Sequence, residues 1–109
     1  MTRYIKKQYK IVNDKFSIFL NKKIFEPNLT TILLIDMARK IIKNNDKVLD
    51  LGCGSGVVGC YLYKKKIIKY IYGSDISEAA VNCSIYNAKK LTNDYDIRLS
   101  NSLSNWQNR

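Results

Sequence analysis

Apolar and polar positions change rhythm along the chain, and each change marks a different element. Tyr9 to Val12 and Phe16 to Leu20 are rich in β-branched and aromatic residues and flank Asn13-Asp14, a turn-favouring pair, which predicts a β-hairpin. Beyond Pro27, the apolar residues Leu34, Met37, Ala38, Ile41 and Ile42 share one helical face. Thr30 is the expected N-cap of that helix and Asn44-Asn45-Asp46 its stop. Strand-like and helix-like stretches then alternate. Lys47 to Leu51 reads as a short buried strand, Gly52 to Ser55 as a glycine turn, and Gly56 to about Tyr63 as a helix packed through Val57, Val58, Cys60 and Tyr61. Ile67 to Tyr72 is a second strand, and Ser77 caps a helix running to about Leu91 with Ala80, Val81, Ser84, Ile85 and Ala88 toward the sheet. Asp96 to Leu99 supplies a third strand.

The pattern predicts an α/β fold in a single domain, 1–109. A β-hairpin spans 9–27, a helix 30–43, and a βαβαβ unit 47–100 that forms half of a doubly wound, Rossmann-like sheet. A hydrophobic fraction of 46% is ample for one small core. No apolar run approaches the ~20 residues of a membrane span. Met1 to Lys10 lacks the apolar core of a secretory signal, so the expectation is a cytoplasmic protein without membrane contact.

Cys53, Cys60 and Cys83 lack the C-x-x-C spacing of zinc and redox sites, and the chain has no histidine. Reduced structural thiols, no metal site and no histidine acid/base chemistry are therefore expected. The net charge of +10 is almost all lysine, spread through every segment, with local runs such as Lys6-Lys7, Lys22-Lys23 and Lys64-Lys65-Lys66. Dispersed charge favours solubility and loose attraction to acidic partners, and leaves RNA open as one of them.

Candidate chemistry concentrates in Asp50-Leu51-Gly52-Cys53-Gly54-Ser55-Gly56, where an acidic residue ends a buried strand and glycines follow at every second position. Such glycines let the backbone turn sharply and approach a ligand, while the helix beginning near Gly56 presents free N–H groups. Asp75 ends the second strand about twenty residues beyond Gly54, where a carboxylate can accept both hydroxyls of a ribose. Gly54, Gly56 and Gly59 also spell G-x-G-x-x-G, the dinucleotide fingerprint. That register would bury Asp50 and Gly52 inside the strand, which a central strand seldom tolerates. Starting the turn at Gly52 instead leaves Asp50 at the strand mouth, facing the amino group of a zwitterionic ligand. The register favours S-adenosylmethionine over NAD.

This segment resembles the D-x-G-x-G-x-G first motif of class I S-adenosylmethionine-dependent methyltransferases, and Gly73-Ser74-Asp75-Ile76-Ser77 resembles their second. The resemblance implies that Gly52, Gly54 and Gly56 line the methionine half of the cofactor, Asp75 holds the ribose and Ile76 lies against the adenine. Phe25-Glu26-Pro27-Asn28-Leu29-Thr30-Thr31-Ile32-Leu33-Leu34 is similar to the Y-E-P-x-E-D-T-F-L-L segment of HemK-like (PrmC-related) methyltransferases, which act on a glutamine side-chain amide of translation release factors. Leu29 and Thr30 replace that family's acidic pair. Thr31 takes the position of its threonine near the cofactor, although helix capping explains a threonine there equally well. Ser100-Asn101-Ser102-Leu103 aligns with the family's Ser-Asp-Leu, so Asn101 would meet the adenine amino group with an uncharged acceptor; a surface-turn role is the alternative.

The same family continues into N-P-P-Y, which the resemblance assigns to holding the acceptor amide. Neither N-P-P-Y nor D-P-P-Y occurs in these 109 residues. No residue is therefore assigned as catalytic, and the sheet is expected to be truncated after its third strand. Its first strand would form an open edge that a missing carboxy-terminal half or a partner strand covers. The expected substrate is a release factor or ribosomal protein. An RNA methyltransferase and a non-catalytic cofactor-binding fragment are the competing readings.

Overall fold

A computed structural model of the chain describes residues 2–100 and 103–106. Strands β1 (Ile5–Ile11) and β2 (Asp14–Leu20) pair antiparallel, Ile5 opposite Leu20 and Ile11 opposite Asp14. The hairpin thus starts at Ile5 rather than Tyr9, and its turn is Val12-Asn13 rather than Asn13-Asp14. Two-residue hairpin loops need a positive φ to follow the strand twist, and Val12 supplies it at 57°. Asp14 is instead drawn into β2, where its carboxylate accepts the Tyr61 hydroxyl at 3.1 Å and pairs with the Lys65 ammonium at 2.8 Å. Phe16, Ile18 and Leu20 alternate onto the buried face.

Helix α1 (Leu29–Ile41) starts two residues earlier than Thr30 as cap would give. Asn28 is the N-cap: its side-chain oxygen accepts the Thr31 N–H at 3.1 Å, and the Thr31 hydroxyl accepts the Asn28 N–H at 3.3 Å, a reciprocal capping box. The buried face also differs from the predicted one. Ile35 is fully buried, with Ile32, Ala38 and Ile42 packed partly against the core, whereas Leu34, Met37 and Ile41 are exposed. This helix carries two apolar stripes, and packing on α2 (Val57–Lys64) and β1 decides which one is covered.

Strands β3 (Leu49–Leu51), β4 (Ile71–Asp75) and β5 (Tyr95–Leu99) form a parallel sheet in the order β3-β4-β5. The Rossmann-like half-sheet, the preceding hairpin and the preceding helix are as the sequence predicts, and β3 is an edge of the three-stranded sheet. The second strand begins at Ile71 instead of Ile67. Lys66 turns at φ 64°, the Ile67 N–H donates to Leu62 O at 2.9 Å, and Ile68 is buried, so these apolar residues close the end of α2 rather than join the sheet. Helix α3 (Glu78–Lys89) packs on β4, β5, α2 and β2. Ile11, Phe16, Ile18, Ile35, Cys60, Tyr61, Leu62, Ile71, Cys83 and Ala88 fill the interior between hairpin, helices and sheet. All three cysteines are free and buried, and burial pushes the Cys53 and Cys60 thiols up to about 12 and that of Cys83 to about 11.

Candidate cofactor site

The turn between β3 and α2 is built from three left-handed glycines, Gly52 at φ 74°, Gly54 at 55° and Gly56 at 83°. The Gly52 and Cys53 N–H groups both donate to Ser74 O at 2.8 Å, which ties the turn to the end of β4. The Gly54 N–H donates to one oxygen of the Asp75 carboxylate at 3.0 Å, and the Ser77 N–H donates to the other at 2.9 Å. Asp75 is thereby fixed in orientation with lone pairs still available, since an ionised carboxylate can accept about four hydrogen bonds.

A cavity of about 530 Å³ opens over this turn, within the range of small-molecule sites. Asp50, Gly52, Gly54, Asp75, Ile76 and Thr31 line it together, so six of the eight residues singled out in the sequence converge on one space. They come from three separate chain segments. Ile76 is 73% exposed at the rim, and Thr31 faces the cavity while serving the helix cap. Gly56 does not line the cavity: a Cβ there would come within 3.0 Å of Ser84 Cα, so it faces α3. Asn101 lies outside the described residues. Gly59 packs on Ile71 and serves the helix-to-strand contact rather than a ligand.

Asp50 stands at the end of β3 beneath the cavity, half-buried. Burial raises its carboxyl to about 6, and the negative charge of Asp75 adds to that shift. Among the described residues, no protein donor hydrogen-bonds the Asp50 side chain. A desolvated carboxylate without a donor is suited to a cationic ligand group, because a nearby positive charge that also donates restores its charged form. No group of acidic, cysteine or histidine residues able to hold a metal occurs among the described residues.

Two parts of the site were not legible beforehand. The stretch Lys23 to Asn28 forms a wall of the cavity, with Glu26 held by the Lys7 ammonium and by the Tyr9 hydroxyl at 3.2 Å. Beneath the turn, Ser84 and Asn87 of α3 bond its carbonyls: Ser84 Oγ donates to Gly54 O at 2.8 Å, and Asn87 Nδ2 donates to Ser55 O at 2.9 Å. The available signal was an asparagine three residues after a serine on the face of α3 that also carries Ala80, Cys83 and Ala88. A polar residue on a buried face needs partners.

A glycine turn leading from a parallel strand into a helix, with a carboxylate at the ends of β3 and β4, places the chain among Rossmann-like α/β domains. The chain belongs to the methyltransferase small domain family, whose model matches residues 10–109. It is 34% identical over 105 residues to a ribosomal protein L11 methyltransferase of Thermosipho melanesiensis, covering 94% of this chain and 40% of that protein. It is 36% identical over 76 residues to a release factor glutamine methyltransferase of Dictyoglomus turgidum, covering 67% of this chain and 27% of that one. A release factor glutamine methyltransferase of Agrobacterium fabrum is 32% identical over 95 residues, covering 82% and 32%. The chain thus spans well under half the length of each of these relatives. Both relative types belong with the class I methyltransferases that the two motifs resemble.

Proposed function

We propose that this chain is the cofactor-binding part of an S-adenosylmethionine-dependent methyltransferase of the cytoplasm, acting on the side-chain amide of a glutamine in a translation factor or ribosomal protein. The observation that carries the cofactor reading is the convergence of Asp50, Gly52, Gly54, Asp75, Ile76 and Thr31 on a single cavity. In this reading Asp50 pairs with the cofactor's ammonium, Asp75 accepts from the ribose hydroxyls, Ile76 covers the adenine, and Gly52 and Gly54 admit the methionine portion close to the backbone. The bound cofactor supplies an electrophilic methyl group on a sulfonium. What the chain's own residues do is bind and orient it; Asp50 and Asp75 are binding groups and not bases.

The protein acceptor is supported by the names of the relatives, which modify ribosomal protein L11 or release factors. Acceptor binding falls to a segment that pairs with the open edge of β3, either further chain of the same protein or a partner strand. An RNA acceptor is the second reading, favoured by the Lys90 ammonium lying 4.8 Å from the Phe19 ring and 4.6 Å from the Tyr86 ring, an arrangement that combines charge with aromatic surface.

Calorimetry with S-adenosylhomocysteine tests the cofactor reading. Asp75→Ala and Gly54→Val are each expected to weaken binding at least about 100-fold, the first by removing a charge-assisted acceptor and the second by filling the turn. Undiminished binding in both variants, or binding of NADH in its place, would show the pocket to be misassigned. Label transfer from S-adenosylmethionine, with the chain complemented by the downstream half of a relative, then separates the acceptors. Labelled release factor or L11 supports the protein reading, labelled rRNA or tRNA the other, and binding without transfer a non-catalytic module.

A further inference from the structure

The cofactor turn is held from behind by a buried polar pair, and that pair also grips the amino-terminal hairpin. Asn87 is 5% exposed, and its shortest hydrogen bonds go to backbone, with a longer contact of its Nδ2 to Cys83 Sγ at 3.7 Å. Its Oδ1 accepts the Phe19 N–H at 2.9 Å, while its Nδ2 donates to Phe19 O and to Ser55 O, each at 2.9 Å. One side chain therefore completes a strand-like exchange with β2 and, at the same time, fixes a carbonyl of the glycine turn. Ser84, fully buried one helical turn earlier, donates to Gly54 O at 2.8 Å. A trans peptide points its N–H opposite to its carbonyl. Drawing Gly54 O down toward α3 therefore turns the Ser55 N–H away from α3, and Ser55 lines the cavity. No protein group among the described residues accepts that N–H.

We propose that Ser84 and Asn87 are positioning residues for cofactor binding: they aim the peptides of the glycine turn at the ligand and, through Asn87, lock the turn to the hairpin as one unit. Neither side chain touches the cavity, so each acts only through the backbone it holds. The chemistry at position 87 is narrow. An aspartate has the same shape, yet it loses both donations and sets negative charge against two carbonyl oxygens. A serine at 87 cannot span from β2 to the turn.

The inference rests on the cofactor reading above, and its test separates the two. S-adenosylhomocysteine binding to the 109-residue chain is measured by calorimetry for the wild type, Ser84→Ala, Asn87→Ser and Asn87→Asp, well below each melting temperature. Amide hydrogen exchange of Gly54, Ser55, Gly56 and Phe19 is followed in the same variants. Expected are an affinity loss of about tenfold for Ser84→Ala and a larger one for Asn87→Asp. Faster exchange should appear at Gly54 and Gly56 in both, and at Phe19 only in Asn87→Ser, since an aspartate keeps the oxygen that accepts the Phe19 N–H. Variants that melt lower yet bind with unchanged affinity would reduce the pair to a fold-stabilising role and overturn the proposal. Failure of the wild type to bind would instead remove the cofactor reading. Positioning is then judged by exchange alone, and unchanged protection at Gly54 and Gly56 in all three variants would end it too.

Discussion

The two walls of the cavity are built in opposite ways. The glycine turn is made of backbone, pinned by Ser74 O, the Asp75 carboxylate, Ser84 and Asn87 through bonds of 2.8–3.0 Å, most of them shielded from water. The facing wall, Lys23 to Thr31, buries Ile24 and Pro27, but its polar attachments are at the surface: Glu26 is tied to Lys7 and Tyr9, Asn28 and Thr31 cap each other, and Phe25 is 97% exposed. Buried hydrogen bonds to carbonyls specify a geometry, whereas exposed ion pairs are screened and contribute little. One wall is preorganised for the ligand. The other is seated on Ile24 and held in place by exposed polar contacts.

The largest effect that would break this contrast lies within the turn itself. Gly56 and Gly54 both have positive φ, but a Cβ at Gly56 would meet Ser84 Cα at 3.0 Å, whereas one at Gly54 meets nothing within 4 Å. Gly56→Ala therefore combines left-handed strain with overpacking against α3 and is expected to cost about 2–5 kcal/mol. Gly54→Ala carries only the strain, about 1–2 kcal/mol. Thermal melts check the pair. Equal losses would mean that the close approach of turn and α3 is not what makes the wall rigid.

How each wall was built also decided how much of it could be read from sequence. Asp50, Gly52, Gly54 and Asp75 were legible because backbone conformation and strand ends restrict residue type at those points. The hairpin and the order of the parallel strands followed from alternation and from the βαβ rhythm. The displaced start of β4 was not legible: Ile67 and Ile68 are as strand-prone as Ile71, and parallel pairing of Tyr72 with Leu49 fixes the register. Nor was the buried stripe of α1, since Leu34, Met37 and Ile41 are as apolar as Ile35, and only the position of α2 and β1 separates them. Asn87 was missed because its partners are backbone groups of β2 and the turn, 68 and 32 residues away.

Asp50 sharpens the comparison from the preorganised side through pH. Its carboxyl is raised to about 6, above an ordinary aspartate, so ionising it in the empty fold is unfavourable, and its contribution to stability is lost as pH rises from about 4 through 6. Asp50→Asn should stabilise the free domain at pH 7.5 by on the order of 1–3 kcal/mol. Ligand binding has the opposite sign. An ammonium needs the ionised carboxylate, so affinity for S-adenosylhomocysteine should climb as pH passes upward through about 6, then level off until the ligand's amino group begins to lose its proton near 8. Calorimetry between pH 5 and pH 8 reads this directly. In Asp50→Asn the rise should be absent and binding weak throughout; a rise that persists would assign the titration to another group.

The smallest effect belongs to the facing wall. The Lys7 ammonium, and after it the Tyr9 hydroxyl, hold the Glu26 carboxyl below the usual carboxylate range. Both contacts are exposed, so the attachment is present at neutral pH and weakens as pH falls into the acid range. Glu26→Gln keeps the shape, removes the charge and leaves Pro27 and the Asn28 cap in place. Binding of S-adenosylhomocysteine should then fall by at most about threefold, and less again in high salt, where the wild-type contact is already screened. Calorimetry at low and high salt separates the outcomes. A loss approaching that of Ser84→Ala would mean that the hairpin holds this wall as firmly as α3 holds the turn, and the contrast between the two sides of the cavity would disappear.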